Sequence, residues 1–477
     1  MKNTKVKQLF NNTILFGIGN FGSKILVLLL VPIYTASLTT SQYGFVDLVI
    51  NVVNVLTPIF ALSVYEAVFR DQLDGELDQV KKERAFFLAI EITLVSLVFY
   101  ALVLLVGANW LPRGMSYVVL LGLILVFLQN IQNLFGQYVR GNGHTVRYTL
   151  NGLITAGTLF VISVLLVYYW HMGVVGYICS IIFSVVVSIL ILGPATPRWR
   201  LTSVFKRISL SELKSMLRYS IPMIPNAIIW WLFNGVVRFG ILFAVGVSAN
   251  GLFAAAAKLP SIISVVVYIF TQAWELNAVQ AAEEDDNQFY TLIINGFIIV
   301  EFTISLFLIM FSQPIGQIFI GGEFALGWRL IPGLLMANFW YGLATILGVN
   351  YMVSRKTSGL GLSTALGFIV TVIGLSIFLP LFKIYGAIIA LNLGYLSMVV
   401  YRIIDTKEMM EIKYLQLAIS AGVLLVATIL VTNQNKFNML ENSSWFGLGM
   451  MLVLLAYWRI IIKVFKEIIG FLNDRFL

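Results

Sequence analysis

Charge is what this sequence has least of. Charged residues fill only 11% of its 477 positions and hydrophobic residues 59%, whereas a typical soluble domain carries about 25% charged residues. That composition excludes a string of ordinary soluble domains and reads as an integral membrane protein. Cysteine is reduced to Cys179, inside an apolar run, so no disulfide framework exists. The two histidines, His144 and His171, fall in loops with no second ligand at metal spacing. No strand can precede Gly141-Asn142-Gly143, which reads as a turn and not as a phosphate-binding loop. No ATP-binding loop, catalytic carboxylate pair or nucleophile with a base is found either. The chain is therefore expected to be neither an ATPase nor any other enzyme, and no cofactor or metal is expected.

What is abundant is apolar sequence in long blocks. Runs of roughly 17 to 25 residues, each the length of a membrane-spanning helix, begin near Asn12, Gly44, Ala85, Tyr117, Thr149, Gly173, Tyr219, Gly251, Thr291, Leu330, Gly359, Tyr385, Tyr414 and Trp445. Lipid offers backbone groups no partners, so continuous runs must be helices, and a barrel would need short alternating strands. The expectation is an all-α membrane protein with fourteen transmembrane helices. Lys and Arg collect on the cytoplasmic side. With the N-terminus inside, only Arg113, Arg329, Lys383 and Lys436 fall in outer segments, and Lys24, Arg238 and Lys258 fall within apolar runs. Both termini are then cytoplasmic. The net charge of +9 follows from this bias and calls for no nucleic-acid partner. The first run follows several lysines as a signal peptide would, but it is long and lacks an A-x-A site, so it reads as a retained helix.

The chain repeats itself. YGFVDLVINVVNVLTPIFALSVYEAVF, from 43 to 69, matches NGLFAAAAKLPSIISVVVYIFTQAWELNA, from 250 to 278, in pattern. YVRGNGHTVRYTLNGL corresponds to YMVSRKTSGLGLSTAL, and Glu91 falls within one position of Glu301. Each copy holds an even number of spans, so the two run in the same direction, a parallel repeat of the kind found in transporters. The expected organisation is an N-terminal lobe over 1–197, a basic cytoplasmic linker over 198–218, a C-terminal lobe over 219–404, and two further helices with a tail over 405–477.

Helical periodicity sorts the polar residues by face. Asn20 and Lys24 share an arc in the first run, and Asp47, Asn51 and Asn54 share a narrow face in the second. Asn226, Asn234 and Arg238 align in the seventh, and Lys258, Ser261, Ser264, Tyr268, Gln272 and Glu275 in the eighth. Four stripes in equivalent positions point to one shared cavity, with Gln129, Asn133, Gln137 and Arg140 of the fourth run toward its inner mouth. The three cations lie roughly 10 to 16 Å below the outer surface, where each costs about 2.5 to 3.5 kcal/mol. Water, a counter-anion or a fixed ion pair must offset that, and Asp47 with Lys258 is one such pair. Glu66 stands four before Arg70, a helix-surface pairing distance. Glu301, deep in the ninth run, and Glu91 are candidates for proton coupling. Pro32, Pro58, Pro222, Pro225 and Pro260 loosen the helices that line the cavity.

The segment FNNTILFGIGNFGSKILVLLLVPIYTASLTTSQYGFVDLV resembles the N-terminal signature of the bacterial polysaccharide transporter family, in which P-x-Y-T precedes Y-G and an aspartate. KLPSIISVVVYIFTQAWELNAVQ resembles that family's eighth helix, and RYSIPMIPNAII its seventh. The resemblance implies the fold of the superfamily that holds multidrug/toxin extruders and lipid II flippases: two six-helix lobes and two extra helices. It also implies export of undecaprenyl-pyrophosphate-linked oligosaccharide for surface polysaccharide, with Lys24, Arg238 and Lys258 as cavity cations. The chain departs from the pattern at Val237, where many relatives carry an acid beside the arginine. The implied partners are the lipid-linked oligosaccharide, membrane lipid, H+ or Na+, and polymerase and glycosyltransferase machinery. A cation-coupled drug extruder, a lipid II-type flippase and a non-transporting scaffold are the alternatives. A drug extruder wants open carboxylates in its cavity, where cations here outnumber Asp47.

Overall fold

A computed structural model of the chain describes residues 22–73, 78–107, 116–197, 210–221, 223–283, 287–353, 357–407, 414–434 and 436–476. Among these residues there is no strand. Ten helices are long and apolar enough to cross a membrane. An eleventh span results if Val247–Lys258 and Ser261–Thr271, bent by 45°, count as one, and Gly22–Ser37 and Gly235–Ala244 are shorter apolar helices. The protein is a multi-pass, all-helical membrane protein. It divides into two compact units, Met1–Phe239 and Gly240–Leu477.

The first unit holds α1 (Gly22–Ser37), α2 (Thr40–Phe60), α3 (Val64–Leu73), α4 (Gln79–Gly107), α5 (Ser116–Gly141), α6 (Thr145–Ser163), α7 (Gly173–Leu192), α8 (Leu210–Ser220) and most of α9 (Met223–Ala244). The polar stretch before α2 is a helix start. The Thr39 hydroxyl accepts from the Gln42 amide at 3.2 Å, and the Gln42 side chain accepts from the Thr39 amide at 3.1 Å. This reciprocal cap satisfies two backbone donors that would otherwise be orphaned. α2 runs through Pro58 and stops at Phe60, where Leu62 and Ser63 turn left-handed at φ 49° and 50°. Such backbone costs a non-glycine residue roughly 1–2 kcal/mol; here the Ser63 amide and hydroxyl, both donating to the Pro58 carbonyl at 2.9 and 3.3 Å, hold it.

α5 is the hub of this unit, packed on α2, α3, α4 and α7, while α6 pairs with α7. Phe86, Phe135 and Tyr138 form an aromatic core between α4 and α5. Arg147 of α6 donates through Nε (3.0 Å) and Nη2 (2.6 Å) to the Ile191 carbonyl, binding α6 to the end of α7. The expected Glu66–Arg70 pair gives way to another arrangement. The Arg70 guanidinium lies 4.4 Å over the Tyr219 ring and 3.4 Å from Asp71, because a planar cation gains more from an aromatic face and a carboxylate together than from one exposed helix-surface pair.

The second unit holds α10 (Val247–Lys258), α11 (Ser261–Glu283), α12 (Asn287–Met310), the short α13 (Ser312–Phe319), α14 (Ile331–Val353), α15 (Thr357–Phe382), α16 (Ile384–Asp405), α17 (Tyr414–Asn433) and α18 (Met439–Phe476). Its hub is α14, which packs on α11, α12 and α16, while α15 pairs with α16 and α12 lies on α17 and α18. Counting α9 as the first span of the second repeat, the fourth span of each repeat meets the second, third and sixth, and the fifth pairs with the sixth. α15 and α16 approach so closely that a Cβ added at Gly386 would stand 2.0 Å from the Phe378 carbonyl oxygen. Small residues allow such contact between membrane helices. Arg402 of α16 is buried and donates to Ser363 (2.9 Å), Thr364 (3.1 Å) and the Ala344 carbonyl, tying three helices together.

Candidate functional site

In the first unit the polar face of α2 forms as its periodicity predicts. Asp47 and Asn51 stand one turn apart, and the Asn51 amide donates to the Asp47 carbonyl at 2.7 Å and to its carboxylate at 3.3 Å. The carboxylate also receives Arg238 of α9, whose Nε lies 2.6 Å from Oδ2. The two side chains are 19% and 11% exposed, Arg238 and Asp47 respectively. The bond is short and charge-assisted, the strong class of hydrogen bond. Val237 is buried, so the acid that many relatives are expected to carry beside this arginine is supplied here by another helix, 191 residues away.

Periodicity did not anticipate what lies beside the pair. Tyr34 and Tyr43, both within the predicted signature, close on Tyr177 of α7 with ring centroids 4.3 and 6.2 Å away. The Tyr34 hydroxyl meets Ser163 at 2.7 Å. Tyr43 is one turn before Asp47 on α2, so the aromatic cluster and the ion pair share one helix. The only advance signal was the pair of tyrosines in the P-x-Y-T and Y-G motifs; Tyr177 carried none. Lys24 and Asn54 are exposed. Asn20 lies outside the described residues, as do the side chains of Asn226, Asn234, Gln272 and Glu275.

The second unit treats its cation differently. Lys258 is the last residue of α10, and Leu259 and Pro260 separate it from α11. The predicted stripe from Lys258 to Tyr268 is therefore split by a bend, because Pro260 has no N–H to continue the helix. The Ser261 hydroxyl donates to the Lys258 carbonyl at 2.6 Å, filling one acceptor that the helix end leaves open. A helix C-terminus also favours a nearby ammonium by about 0.3–1 kcal/mol. Beyond the bend Ser264 donates to Asn338 of α14 at 2.8 Å, a polar partner that the sequence did not single out, and Tyr268 is exposed.

Glu301 of α12 is 3% exposed, and neither carboxylate oxygen has a hydrogen-bond partner. It lies against Gly342 of α14, where a Cβ would stand 1.9 Å from Oε1. Only glycine leaves room for the carboxyl. Glu91, its repeat counterpart on α4, is half-buried. Among the described residues no cluster of three metal-ligating side chains occurs. In the fourth span, Gln129 is drawn away from the predicted inner stripe to accept from Thr57 at 3.1 Å, because α2 packs on that face.

The family model described as polysaccharide biosynthesis protein matches residues 9–274. Among solved structures, the fold is similar to the lipid II flippase MurJ in an inward closed conformation, with a TM-score of 0.68 and 13% identity over 96% of this chain and 100% of that one. It is also similar to a multidrug resistance MATE family transporter in its outward-facing conformation (TM-score 0.54, 16% identity, 86% and 95% covered). A third is a MOP superfamily transporter from Pyrococcus furiosus whose binding pocket is described as reversed in polarity (TM-score 0.57, 16% identity, 83% and 95% covered). No curated protein sequence matches the chain significantly. At these identities the structural likenesses establish the fold.

Proposed function

From the premise that this chain belongs to the polysaccharide biosynthesis protein family, we propose that it is an alternating-access flippase. Its cargo is an undecaprenyl-pyrophosphate-linked oligosaccharide, moved outward across the cytoplasmic membrane of a bacterium for surface polysaccharide. The observation that carries this reading is the Arg238–Asp47 bond at 2.6 Å between two apolar helices. A pyrophosphate cannot enter hydrocarbon unneutralised, and Arg presents a planar fork suited to phosphate oxygens. Asp47 is the resting counter-ion: it holds Arg238 in place and yields to the incoming pyrophosphate, so the cation is never left bare.

Lys24 and Lys258 are the further cations of the transport path, and Asn51, Asn54 and Ser261 hydrogen-bond the cargo. Glu301 is the coupling group. An unpartnered carboxyl has both oxygens available to a proton or a monovalent cation, with Glu91 secondary. A drug extruder for cationic compounds needs an open cavity carboxylate, and the one on α2 is engaged by Arg238.

The test is the sidedness of lipid-linked sugar in cells that lack this gene. Cytoplasmic accumulation should be relieved by the wild-type chain and not by Arg238→Ala. Relief by an Arg238→Ala, Lys24→Ala, Lys258→Ala triple variant would end the reading, and drug tolerance without a change in surface glycan would favour the extruder.

A further inference from the structure

The first unit contains a second polar feature that neither the ion pair nor the coupling carboxyl uses. A cavity of about 280 Å³ opens between α5 and α6, with Ser23 of α1 at its edge. That is on the order of twenty times the volume one ordered water needs. α5 contributes Gln132, Asn133 and Gln137, and α6 contributes Tyr148, Asn151 and Thr155. Both helices are apolar enough to span a membrane, where each polar side chain carries a cost. Three carboxamides on the α5 wall and one on the α6 wall therefore call for a ligand or a structural partner.

The structural partners are incomplete. Asn151 is 6% exposed, and its Nδ2 donates to the Ser188 hydroxyl at 2.8 Å. Its Oδ1 has no partner, and neither has Oε1 of Gln137. These atoms are buried acceptors, and leaving such groups unmatched is unfavourable. The space is kept open by two glycines. A Cβ at Gly136 would stand 3.3 Å from the Tyr148 ring, and one at Gly152 would stand 3.8 Å from the Ser23 hydroxyl.

The lining chemistry selects the ligand. Among the described residues none that lines the cavity is charged, which favours a neutral ligand over a phosphate, a uronic acid or a cationic drug. Arg140 stacks 4.8 Å over the Phe69 ring and does not line the cavity. A carboxamide offers two donors and an acceptor in one plane, the complement of adjacent hydroxyls on a ring. Tyr148 adds an aromatic surface with a polar tip. We propose that this α5–α6 cavity is a neutral-sugar site, which holds one pyranose of the transported glycan close to the turn that joins the two helices. The proposal rests on the flippase reading and deepens it by giving the glycan a site separate from that of its pyrophosphate.

The experiment uses the full-length protein in lipid nanodiscs and saturation-transfer NMR with free glucose, galactose, N-acetylglucosamine and glucuronic acid at tens of millimolar. At least one neutral pyranose should receive saturation, and glucuronic acid should not. Asn133→Leu and Gln137→Leu should each weaken that signal by about three- to tenfold, the effect of one lost hydrogen bond. Ser376→Ala, at an exposed hydroxyl of α15, should leave it unchanged. Thr155→Val, nearly isosteric, repeats the test if a leucine variant does not fold. Absence of any pyranose signal, equal saturation of glucuronic acid, or indifference to all three cavity substitutions in folded protein overturns the site. Export that persists without sugar binding removes this site and leaves the flippase standing. Sugar binding without export removes the flippase reading and leaves a sugar site.

Discussion

The second span of each repeat begins from the same sequence pattern and breaks in a different place. In the first unit α2 carries Asp47 in the middle of an uninterrupted helix and stops only after Phe60. In the second, α10 ends at Lys258 and the chain bends by 45° before α11. Leu62 lies eighteen positions after Gly44, and Leu259 lies eight after Gly251. The two breaks are therefore displaced by ten residues, about 15 Å of helix. The packing around them is conserved all the same: α5 and α14 are hubs with the same neighbours. A repeat can keep its helix contacts while relocating its weak point, because the contacts need only the buried face and a break needs only one residue that cannot donate. The outcome is a rigid acid in one unit and a cation at a helix end in the other.

The sharpest way to break this contrast is to remove the rigid partner. Arg238→Ala strands Asp47 partly buried, and it should abolish export and lower stability by up to about 3 kcal/mol. Exchanging the charges, Asp47→Arg with Arg238→Asp, should recover much of the stability and none of the export if the cation must stand on α9. Thermal denaturation and glycan export measured together separate the two effects.

Next in size is the bend itself. Pro260→Ala restores an N–H and lets α10 continue toward α11, so export should fall about tenfold without loss of thermal stability, since proline inside a helix costs about 3 kcal/mol. Pro58→Ala, in a helix that already runs past its proline, should change export by less than about twofold. Equal effects of the two substitutions would dissolve the distinction between the units.

Glu301→Gln should leave the protein folded and remove the dependence of export on a pH gradient, read in vesicles with an imposed gradient. Gly342→Ala drives a methyl group into the same carboxyl and should cost about 1–3 kcal/mol by overpacking, with a parallel loss of coupling. The smallest effect belongs to the left-handed turn after α2. Ser63→Gly should raise the unfolding free energy by about 0.5–1 kcal/mol, as relieved backbone strain outweighs one long hydrogen bond, a gain readable in a melting curve.

Much of the fold was legible because membrane helices announce themselves through length and apolarity, and ten or eleven of the expected spans stand among the described residues. The stripe of Asp47 and Asn51 was legible for the same reason: residues one turn apart share a face whatever the rest of the chain does. The stripe through Lys258 failed at its proline, since Pro58 and Pro260 look alike in sequence and only one of them coincides with a break. The partner of Arg238 was also hidden. The pairing that the repeat offered for Asp47 was Lys258, and the Asp47 carboxylate receives Arg238 of α9 at 2.6 Å.

The sequence by itself determined that this chain lives in lipid, that it is helical, and that its polar residues are few and directional. Those properties depend on free energies summed over neighbours a turn apart. Tertiary structure alone decided which cation Asp47 holds, that Tyr34, Tyr43 and Tyr177 meet, that Glu301 rests on a glycine, and that four carboxamides enclose a cavity. Each of these joins residues from different helices, and helix-to-helix placement is set by packing shape, which no local period encodes.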